Sequence, residues 1–276
     1  MKSIRPGATL GILGGGQLGR MFTLEAKRLG FRVMTLEPAQ DSPCGQVADH
    51  QIIAEYADQK ALQQMAESCE VITYEFENIN AEAVEYLESL GKPVFPSSHV
   101  LRTSQNRLRE KDFLRSIQVP VTDYAAVNSL VDLEHALKTI GCPAILKTAD
   151  GGYDGKGQKV VETPAQAEEA FKALQGGALI WEKKVPFAKE LSILCARGQQ
   201  DDIVCYPLGE NHHVRSILDI TSVPASVESG TLDSAKLIAK QIAEGLGFIG
   251  LFCVELFCLA DGTLRLRGTV APAAMP

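Results

Sequence analysis

The chain has 276 residues, of which 45% are hydrophobic and 22% are charged. This length and apolar content predict a soluble, globular protein with two domains. The net charge of −7, without a basic run of residues interleaved with aromatic ones, argues against a nucleic-acid partner. No apolar stretch reaches transmembrane length, and the first residues lead into a strand rather than a signal peptide, so we expect a cytoplasmic protein without a membrane partner.

Seven cysteines are spread along the chain, and none of them forms a C-x-x-C pair. Most lie in apolar, strand-like runs. We therefore expect reduced, buried thiols.

The first part of the chain alternates short apolar runs with amphipathic helical stretches. Strands are predicted at 9–13, 31–36, 51–54, 71–74 and 93–95, and helices are predicted to begin near Gln17, Asp58 and Asn80. Strands and helices that alternate at this rhythm indicate a parallel sheet covered by helices.

The pattern changes from about Ser97 onward. Helices are predicted at 101–116, 130–140, 164–174 and 232–246, and strands at 144–148, 159–161, 178–181, 191–196, 203–206 and 250–259. Asp261-Gly262 predicts a hairpin turn after the last of these strands. This second part indicates an α+β arrangement with antiparallel pairs.

The segment around Lys147 is the most informative in the chain. The apolar run 144–146 ends at Lys147, and the stretch from Gly151 to Gln158 contains four glycines and Lys156. Glycines let backbone N–H groups approach an anion closely and the lysines add positive charge, so the segment indicates a polyphosphate site. The spacing differs from the Walker P-loop and predicts a hairpin flap. A glycine-rich turn without a ligand is the alternative.

A second glycine-rich segment, from Gly14 to Arg20, follows the first predicted strand and satisfies G-x-G-x-x-G. Glu37 ends the next strand, where the ribose-binding acid of a dinucleotide site would stand. A phosphate on a small substrate suits the N–H groups at this helix start as well, and a tight turn without a ligand is a third alternative. The second phosphate-binding loop and the many carboxylates favour a substrate phosphate over the NAD of a Rossmann-type dehydrogenase.

Five motifs follow one another along the chain. They are Gly-Gln-Leu-Gly-Arg at 16–20, Tyr-Glu-Phe-Glu-Asn at 74–78, Gln-Asn-Arg-Leu at 105–108, the Lys147 segment with its glycines, and Tyr-Pro-Leu with Asn-His-His between 206 and 213. With this combination the sequence resembles the N5-carboxyaminoimidazole ribonucleotide synthetases, which are ATP-grasp carboxylases of purine biosynthesis. The resemblance implies that ATP, bicarbonate and 5-aminoimidazole ribonucleotide give ADP, phosphate and the N5-carbamate. A neighbouring ATP-grasp activity, such as formate-dependent glycinamide ribonucleotide transformylation, is less favoured by these motifs.

The resemblance also implies the fold class and the domains. We expect an α/β protein of ATP-grasp architecture, with a parallel α/β domain over 1–97 that binds the substrate phosphate. An α+β ATP-grasp domain is expected over 98–276, with its flap-bearing subdomain at about 122–185. In such folds ATP lies between two α+β lobes.

The same resemblance implies roles for individual residues. The expected catalytic residues are Lys147, Tyr153 and Lys156. The expected ATP contacts are the cations Arg107 and Lys147, the flap residues Gly152, Tyr153, Asp154, Gly155, Lys156, Gly157 and Gln158, the adenine hinge Glu182, Lys183, Lys184 and Val185, the ribose acceptor Glu190, and His213. The expected ribonucleotide contacts are Gly16, Gln17, Leu18 and Glu75.

Glu255 is the expected metal ligand. It lies in an apolar strand, where a carboxylate is costly unless it is paired or bound to a cation. Mg²⁺ in nucleotide sites takes one or two carboxylates together with phosphate oxygens, and the resemblance places such an ion at Glu255. The alternative is that Glu255 faces solvent.

The sequence departs from the family after Asp261-Gly262. The family continues with Asn-Glu-(Ile/Leu)-Ala-Pro-Arg, whereas Arg267 and Gly268 stand at the first two of these positions, so a second metal carboxylate is missing. The family's carboxy-terminal domain is also missing from the sequence, and we expect a truncated or frame-shifted chain that would be a homodimer if intact. A catalytically impaired ATP-binding remnant is the corresponding alternative.

Overall fold

The computed structural model describes residues 4–151, 157–174, 177–215 and 217–268. These residues form three β-sheets with helices packed against them. None of the described helices is both long enough and apolar enough to span a membrane.

The first sheet has four parallel strands in the order β3-β2-β1-β4. Its strands are β1 (Thr9–Leu13), β2 (Arg32–Leu36), β3 (His50–Ile52) and β4 (Val71–Tyr74), and its helices are α1 (Gln17–Arg28), α2 (Gln59–Ser68) and α3 (Ala81–Ser89). Asp58 and Asn80 begin α2 and α3, because their side chains accept backbone N–H groups of the first turn. Leu13 pairs with Leu36 and Tyr74, so the segments after β1, β2 and β4 meet at one edge of the sheet.

The prediction of a strand at 93–95 is wrong. The described structure has only an isolated parallel bridge there, between Ile72 and Val94. Pro93 and Pro96 have no N–H group to donate, so this segment cannot extend the hydrogen-bond ladder.

The single helix predicted at 101–116 is also wrong. The structure has two helices instead, α4 (Ser98–Ser104) and α5 (Arg107–Ser116). Asn106 has an extended backbone with φ −127°, and its side chain accepts the N–H groups of Leu108 and Arg109. An asparagine in this role begins a new helix rather than continuing the old one.

The second sheet is antiparallel, in the order β5-β8-β6-β7. It contains β5 (Tyr124–Val127), β6 (Ala144–Thr148), β7 (Gln158–Val161) and β8 (Leu179–Lys183), with α6 (Leu130–Thr139) and α7 (Ala167–Ala173) on one side. Trp181 is fully buried in its core and donates from its indole nitrogen to the Gly141 carbonyl. The strand β5 was not among the predicted elements.

The third sheet has six antiparallel strands in the order β12-β11-β9-β13-β14, with β10 paired to the far part of β9. Its elements are β9 (Lys189–Arg197), β10 (Ile203–Cys205), β11 (Gly209–Val214), β12 (Ile217–Ser222), α8 (Ser229–Gly245), β13 (Gly250–Cys258) and β14 (Leu264–Gly268). Inward side chains such as Ile193 and Phe252 form one core with Ile238 and Ile242 of α8. The strands β11, β12 and β14 were not predicted. The other predicted elements are present with small shifts at their ends. The domain limits at 97 and 98 stay a prediction.

Candidate functional site

The lysine–glutamate cluster consists of Glu110, Lys111, Lys147 and Glu182. Lys147 on β6 pairs with Ile180, and Glu182 lies two residues further along β8, so the two side chains form a diagonal pair on one face of the sheet. The Lys147 Nζ lies 2.8 Å from Glu182 Oε2, and the Lys111 Nζ lies 3.7 Å from Glu182 Oε1. One carboxylate thus binds cations from helix α5 and strand β6.

Burial and neighbouring charges shift the pKa values of the groups in this cluster. Burial opposes ionisation of Glu182, but the charges of Lys147 and Lys111 outweigh it and lower the pKa of this carboxyl. Burial also lowers the pKa of Lys111, although Glu182 acts against that shift. The side chain of Lys147 is 17% exposed, against 3% for Lys111. Lys147 is therefore the more accessible of the two cations to a ligand.

Glu110 is the fourth member of the cluster, and it is buried beside Lys111. Burial raises the pKa of Glu110 to about 8, although the charge of Lys111 opposes the shift. Its Oε1 has no hydrogen-bond partner in the described part of the chain. Glu110 is therefore mainly protonated at neutral pH, which makes the cluster more favourable for an anion.

Arg107 holds the segment that leads into the predicted flap. Its Nη1 donates to the Thr148 carbonyl at 2.8 Å and to the carbonyl of Gly151. Beside it, the Asn106 side chain donates to Asp150 at 2.8 Å. These bonds fix the end of β6, so Arg107 positions the backbone from which the flap begins.

The far end of the flap returns beside Lys147. Gly157 has a φ of +71°, which favours glycine, and its carbonyl accepts the Thr148 N–H at 2.9 Å. Gln158 pairs with Lys147 in the β6–β7 ladder. The predicted flap contacts Gly152, Tyr153, Asp154, Gly155 and Lys156 lie outside the described residues.

The predicted adenine hinge, from Glu182 to Val185, follows the end of β8. The ammonium of Lys183 donates to two backbone carbonyls, and that of Lys184 bonds to Glu162 at 2.6 Å. Within the described ranges, the Val185 N–H has no backbone acceptor. The hinge can therefore offer a backbone group to a ligand while its lysine side chains are bonded elsewhere.

A cleft of about 430 Å³ lies against this hinge. It is lined by Lys183, Lys184 and Val185, by residues 120–123 and by Arg265. Its lining does not include the charged groups of the lysine–glutamate cluster, but Thr122 in the lining accepts a hydrogen bond from Lys111 at 3.1 Å.

The carboxylate cluster consists of Glu190, His213, Glu255 and Arg267, on four strands of the third sheet. The Arg267 Nη1 donates to Glu255 Oε2 at 3.0 Å and lies 3.8 Å from Glu190 Oε2. The His213 Nδ1 lies 2.5 Å from the same Glu190 oxygen. This is a close contact without hydrogen-bond alignment, because neither atom has a hydrogen-bond partner among the described residues. Two predicted ATP contacts and the predicted metal ligand thus meet around one arginine.

The described residues of this cluster do not fit a resident divalent ion. Glu255 supplies a single carboxylate, and Arg267 occupies it. The residue opposite Glu255 in the β13–β14 ladder is Gly268, which has no ligand atom in a side chain. Across the described ranges, no group of three or more His, Cys, Asp or Glu side chains is arranged for a metal. The cation beside Glu255 is a guanidinium group.

The amino-terminal glycine loop, residues 14–19, lies at the edge where β1, β2 and β4 end. The Glu75 carboxylate accepts the N–H groups of Gly16 at 2.6 Å and of Leu18 at 3.1 Å. Glu37 accepts the N–H of Gly15 at 2.9 Å. A Cβ atom on Gly16 would lie 2.4 Å from Glu75 Oε1, so glycine is needed for this close approach.

This arrangement differs from an open anion site. The structure brings Gly16, Leu18 and Glu75 together, while Gln17 is exposed at the helix start. The N–H groups that suit a phosphate are bonded to carboxylates of the chain itself. A phosphate that binds here must therefore replace a carboxylate or use the exposed rim of the loop around Gln17.

Family models match both parts of the chain. Residues 7–105 match the ribonucleotide synthetase preATP-grasp domain, and residues 112–272 match the ATP-grasp domain. A protein of Bacillus subtilis (strain 168) named N5-carboxyaminoimidazole ribonucleotide synthase is 42% identical over 264 residues, which are 96% of this chain and 69% of that protein. The chain belongs to the N5-carboxyaminoimidazole ribonucleotide synthase family. The predicted family and the ATP-grasp architecture are thereby confirmed, and the dehydrogenase and remnant alternatives are not favoured.

Solved structures of this family have the same fold. The Staphylococcus aureus N5-carboxyaminoimidazole synthetase complexed with ADP matches with a TM-score of 0.93 at 37% identity, covering 98% of this chain and 72% of that one. The Aspergillus clavatus synthase in complex with ADP and 5-aminoimidazole ribonucleotide matches with a TM-score of 0.86 at 29% identity, covering 96% of this chain and 69% of that one.

Sequence reasoning missed Glu110 and Lys111 as site residues. Helix α5 is strongly polar, so its sequence does not reveal which face is buried. The only signal was the helical spacing of Lys111 and Leu114, which the structure places together on the buried face.

Replacing Glu110 by glutamine tests the charge of the buried carboxyl. Because the pKa of Glu110 is raised to about 8 in the folded chain, folding takes up a proton above the ordinary carboxyl pKa, and this acid costs stability as pH rises towards 8. The stability of Glu110→Gln relative to the parent should therefore increase by about 3–4 kcal/mol between about pH 5 and about pH 8. Urea unfolding across this range measures the difference. Glu134→Gln, at an exposed position of α6, is the control, and parallel curves for Glu110→Gln and the parent would contradict the assignment.

Proposed function

We propose that this chain catalyses the ATP- and bicarbonate-dependent carboxylation of 5-aminoimidazole ribonucleotide to N5-carboxyaminoimidazole ribonucleotide, with release of ADP and phosphate, in purine biosynthesis. Family membership supports the activity, and relatives have been solved with ADP and with the ribonucleotide. The observation in this chain that carries the proposal is Lys147, held by Glu182 at the base of the flap.

The reaction proceeds through two transfers. Bicarbonate attacks the γ-phosphorus of ATP and ADP leaves, which gives carboxyphosphate. The exocyclic amine of the ribonucleotide then attacks the carbon of that intermediate and expels phosphate, or it attacks CO₂ after the intermediate has already released phosphate. In both routes the amine nitrogen loses one proton as the N5-carbamate forms. Lys147 stabilises the charge that develops on the transferred phosphate, and Arg107 positions the flap. Tyr153 and Lys156 are proposed as the further catalytic residues.

The remaining nucleotide contacts are assigned by position. Glu190 is proposed as the acceptor for the ribose hydroxyls, and His213 lies against it. The hinge from Glu182 to Val185 is proposed to bind adenine through backbone groups. Gly152, Tyr153, Asp154, Gly155, Lys156, Gly157 and Gln158 are proposed to cover the phosphates.

The ribonucleotide is proposed to bind at Gly16, Gln17, Leu18 and Glu75. The exposed Gln17 at the helix start supports this position, whereas the Glu75 carboxylate already accepts the N–H group of Gly16. The phosphate of the ribonucleotide would then replace the Glu75 carboxylate as the acceptor of the loop N–H groups.

A divalent ion is proposed to accompany ATP, with Glu255 as its ligand only after Arg267 has released this carboxylate. Mg²⁺ would neutralise charge on the phosphates, but the present pairing of Glu255 with Arg267 does not fit that role. The assignment therefore requires Arg267 to release the carboxylate.

A homodimer in the cytoplasm is proposed as the working form. The edge strand β12 exposes Ile217, Leu218 and Ile220, each at least half exposed, and such an edge is suited to a second copy. Seven free cysteines agree with a reducing compartment.

We also propose the limits 1–97 and 98–276 for the two domains.

An ADP-release assay with Lys147→Ala tests the activity. The parent should release ADP only when bicarbonate and 5-aminoimidazole ribonucleotide are both present, and it should not bind NAD(H) in a parallel titration. Lys147→Ala should weaken ATP binding by about 1.5–3 kcal/mol, the range of a charge-assisted contact. Calorimetry measures this, and the control is Lys159→Ala, an exposed lysine of the adjacent β7. Equal ATP affinity in Lys147→Ala and the parent would refute the role of Lys147.

Gly16→Val tests the substrate loop. The new side chain would collide with Glu75, so binding of the ribonucleotide should fall by about tenfold or more while ATP affinity stays within about twofold. Gly230→Val is the control, since a Cβ atom there meets nothing within 4 Å. Calorimetric titrations with each ligand separate the two sites, and an equal loss for both ligands would contradict the proposal.

Arg267→Gln tests the metal assignment. In the parent, the Arg267 guanidinium is paired with the Glu255 carboxylate. The affinity for ATP measured with Mg²⁺ should therefore differ by less than about threefold from the affinity measured with EDTA. In Arg267→Gln the carboxylate is released, and Mg²⁺ should raise ATP affinity by about tenfold or more. Arg265→Gln, on the same strand, is the matched control. An unchanged response to Mg²⁺ in Arg267→Gln would remove Glu255 as a ligand.

A further inference from the structure

Cys195 and Cys205 face each other across two antiparallel strands. Cys195 on β9 pairs directly with Cys205 on β10. In the next pair of the ladder, the Tyr206 N–H donates to the Leu194 carbonyl at 2.8 Å. Hydrogen-bonded and non-hydrogen-bonded pairs alternate in such ladders, so the two cysteines form a non-hydrogen-bonded pair, the type with the shorter separation.

The two sulfur atoms lie 2.9 Å apart, and both thiols are free. Non-hydrogen-bonded pairs have Cα atoms about 4.5 Å apart, within the range of about 4.4–6.8 Å that disulfides span. A pair of this type therefore suits the Cα spacing that a disulfide requires. We propose that Cys195 and Cys205 are an oxidation site, at which a disulfide closes across β9 and β10.

The chemistry starts at the more accessible thiol. Cys205 is partly exposed, whereas Cys195 is buried in the core that also contains Phe252. With hydrogen peroxide as oxidant, the Cys205 sulfur attacks one peroxide oxygen and the O–O bond breaks, which gives a sulfenic acid and water. The Cys195 sulfur then attacks the Cys205 sulfur, the S–O bond breaks, and a second water leaves. Two thiols lose two electrons and two protons in total, and peroxide is reduced to two waters.

Cys195 suits the role of the second, resolving thiol. Burial, together with the neighbouring Cys205, raises the pKa of Cys195, so Cys195 is not the thiol that peroxide oxidises first. Its sulfur lies 2.9 Å from the Cys205 sulfur, which places it to attack the sulfenic acid and to lose its proton in that step. The bond would close a hairpin of ten residues' separation and fix the end of β9, the strand that also carries Glu190. Oxidation should therefore slow opening of this hairpin without depending on the proposed carboxylation.

Mass spectrometry of the full chain tests the site. The reduced protein is treated with hydrogen peroxide, and its remaining thiols are alkylated under denaturing conditions before proteolysis. The expected product is a peptide pair joined through Cys195 and Cys205, lighter by about 2 Da than the reduced pair and separated by dithiothreitol. Amides of residues 198–206 should exchange with solvent more slowly in the oxidised protein. A Cys205 oxidised to sulfinic acid beside an alkylated Cys195 would overturn the proposal.

Two variants make the test specific. Cys205→Ser should lose the linked peptide and leave Cys195 fully alkylated. Cys253→Ser should keep the linked peptide, because Cys253 follows Phe252, the partner of Cys195, and points to the other face of the sheet. Loss of the link in a folded Cys253→Ser protein would overturn the pairing. The spectrum of the parent chain remains decisive if either variant fails to fold.

Discussion

Glu182 is the shared counter-ion of two lysines, and the organisation of the ATP-grasp half depends on it. The carboxylate lies at the end of β8 and binds Lys147 from β6 and Lys111 from α5. Removing one partner of a buried ion pair costs about 3–5 kcal/mol, because the remaining charge is left without compensation. The same carboxylate therefore anchors helix α5 to the second sheet and keeps Lys147 in place at the base of the flap.

The other carboxylates of the site are also bonded before any ligand arrives. Glu75 and Glu37 accept N–H groups of the glycine loop, and Arg267 holds Glu255. Each of these bonds avoids the cost of a desolvated, unpaired charge. Ligand binding must then replace a bond rather than add one, so the net affinity is the difference between two similar interactions. Such a site favours ligands that supply a full set of replacement contacts.

The sequence predicted the elements whose pattern is local. The strands at 9–13 and 71–74 are short apolar runs, and Asp58 and Asn80 begin helices through contacts within one turn. Strand β12 escaped prediction because all six of its residues are exposed, so no apolar alternation identifies it, and its pairing with β11 specifies it instead. The burial of Lys111 also depends on distant partners, Thr122 and Glu182. Motif resemblance located Lys147 and Glu190 but did not reveal their partners.

Arg267 shows how one side chain can set the electrostatics of a whole cluster. An arginine is charged at every physiological pH and is attached to the chain, whereas a divalent ion must be recruited from solution. Arg267 lies within 4 Å of both Glu190 and Glu255, so it partly neutralises the proposed ribose acceptor and the proposed metal ligand together. Any change that draws the guanidinium towards one carboxylate withdraws charge from the other. The two proposed contacts are therefore coupled through a single side chain, even though they lie on different strands of the sheet.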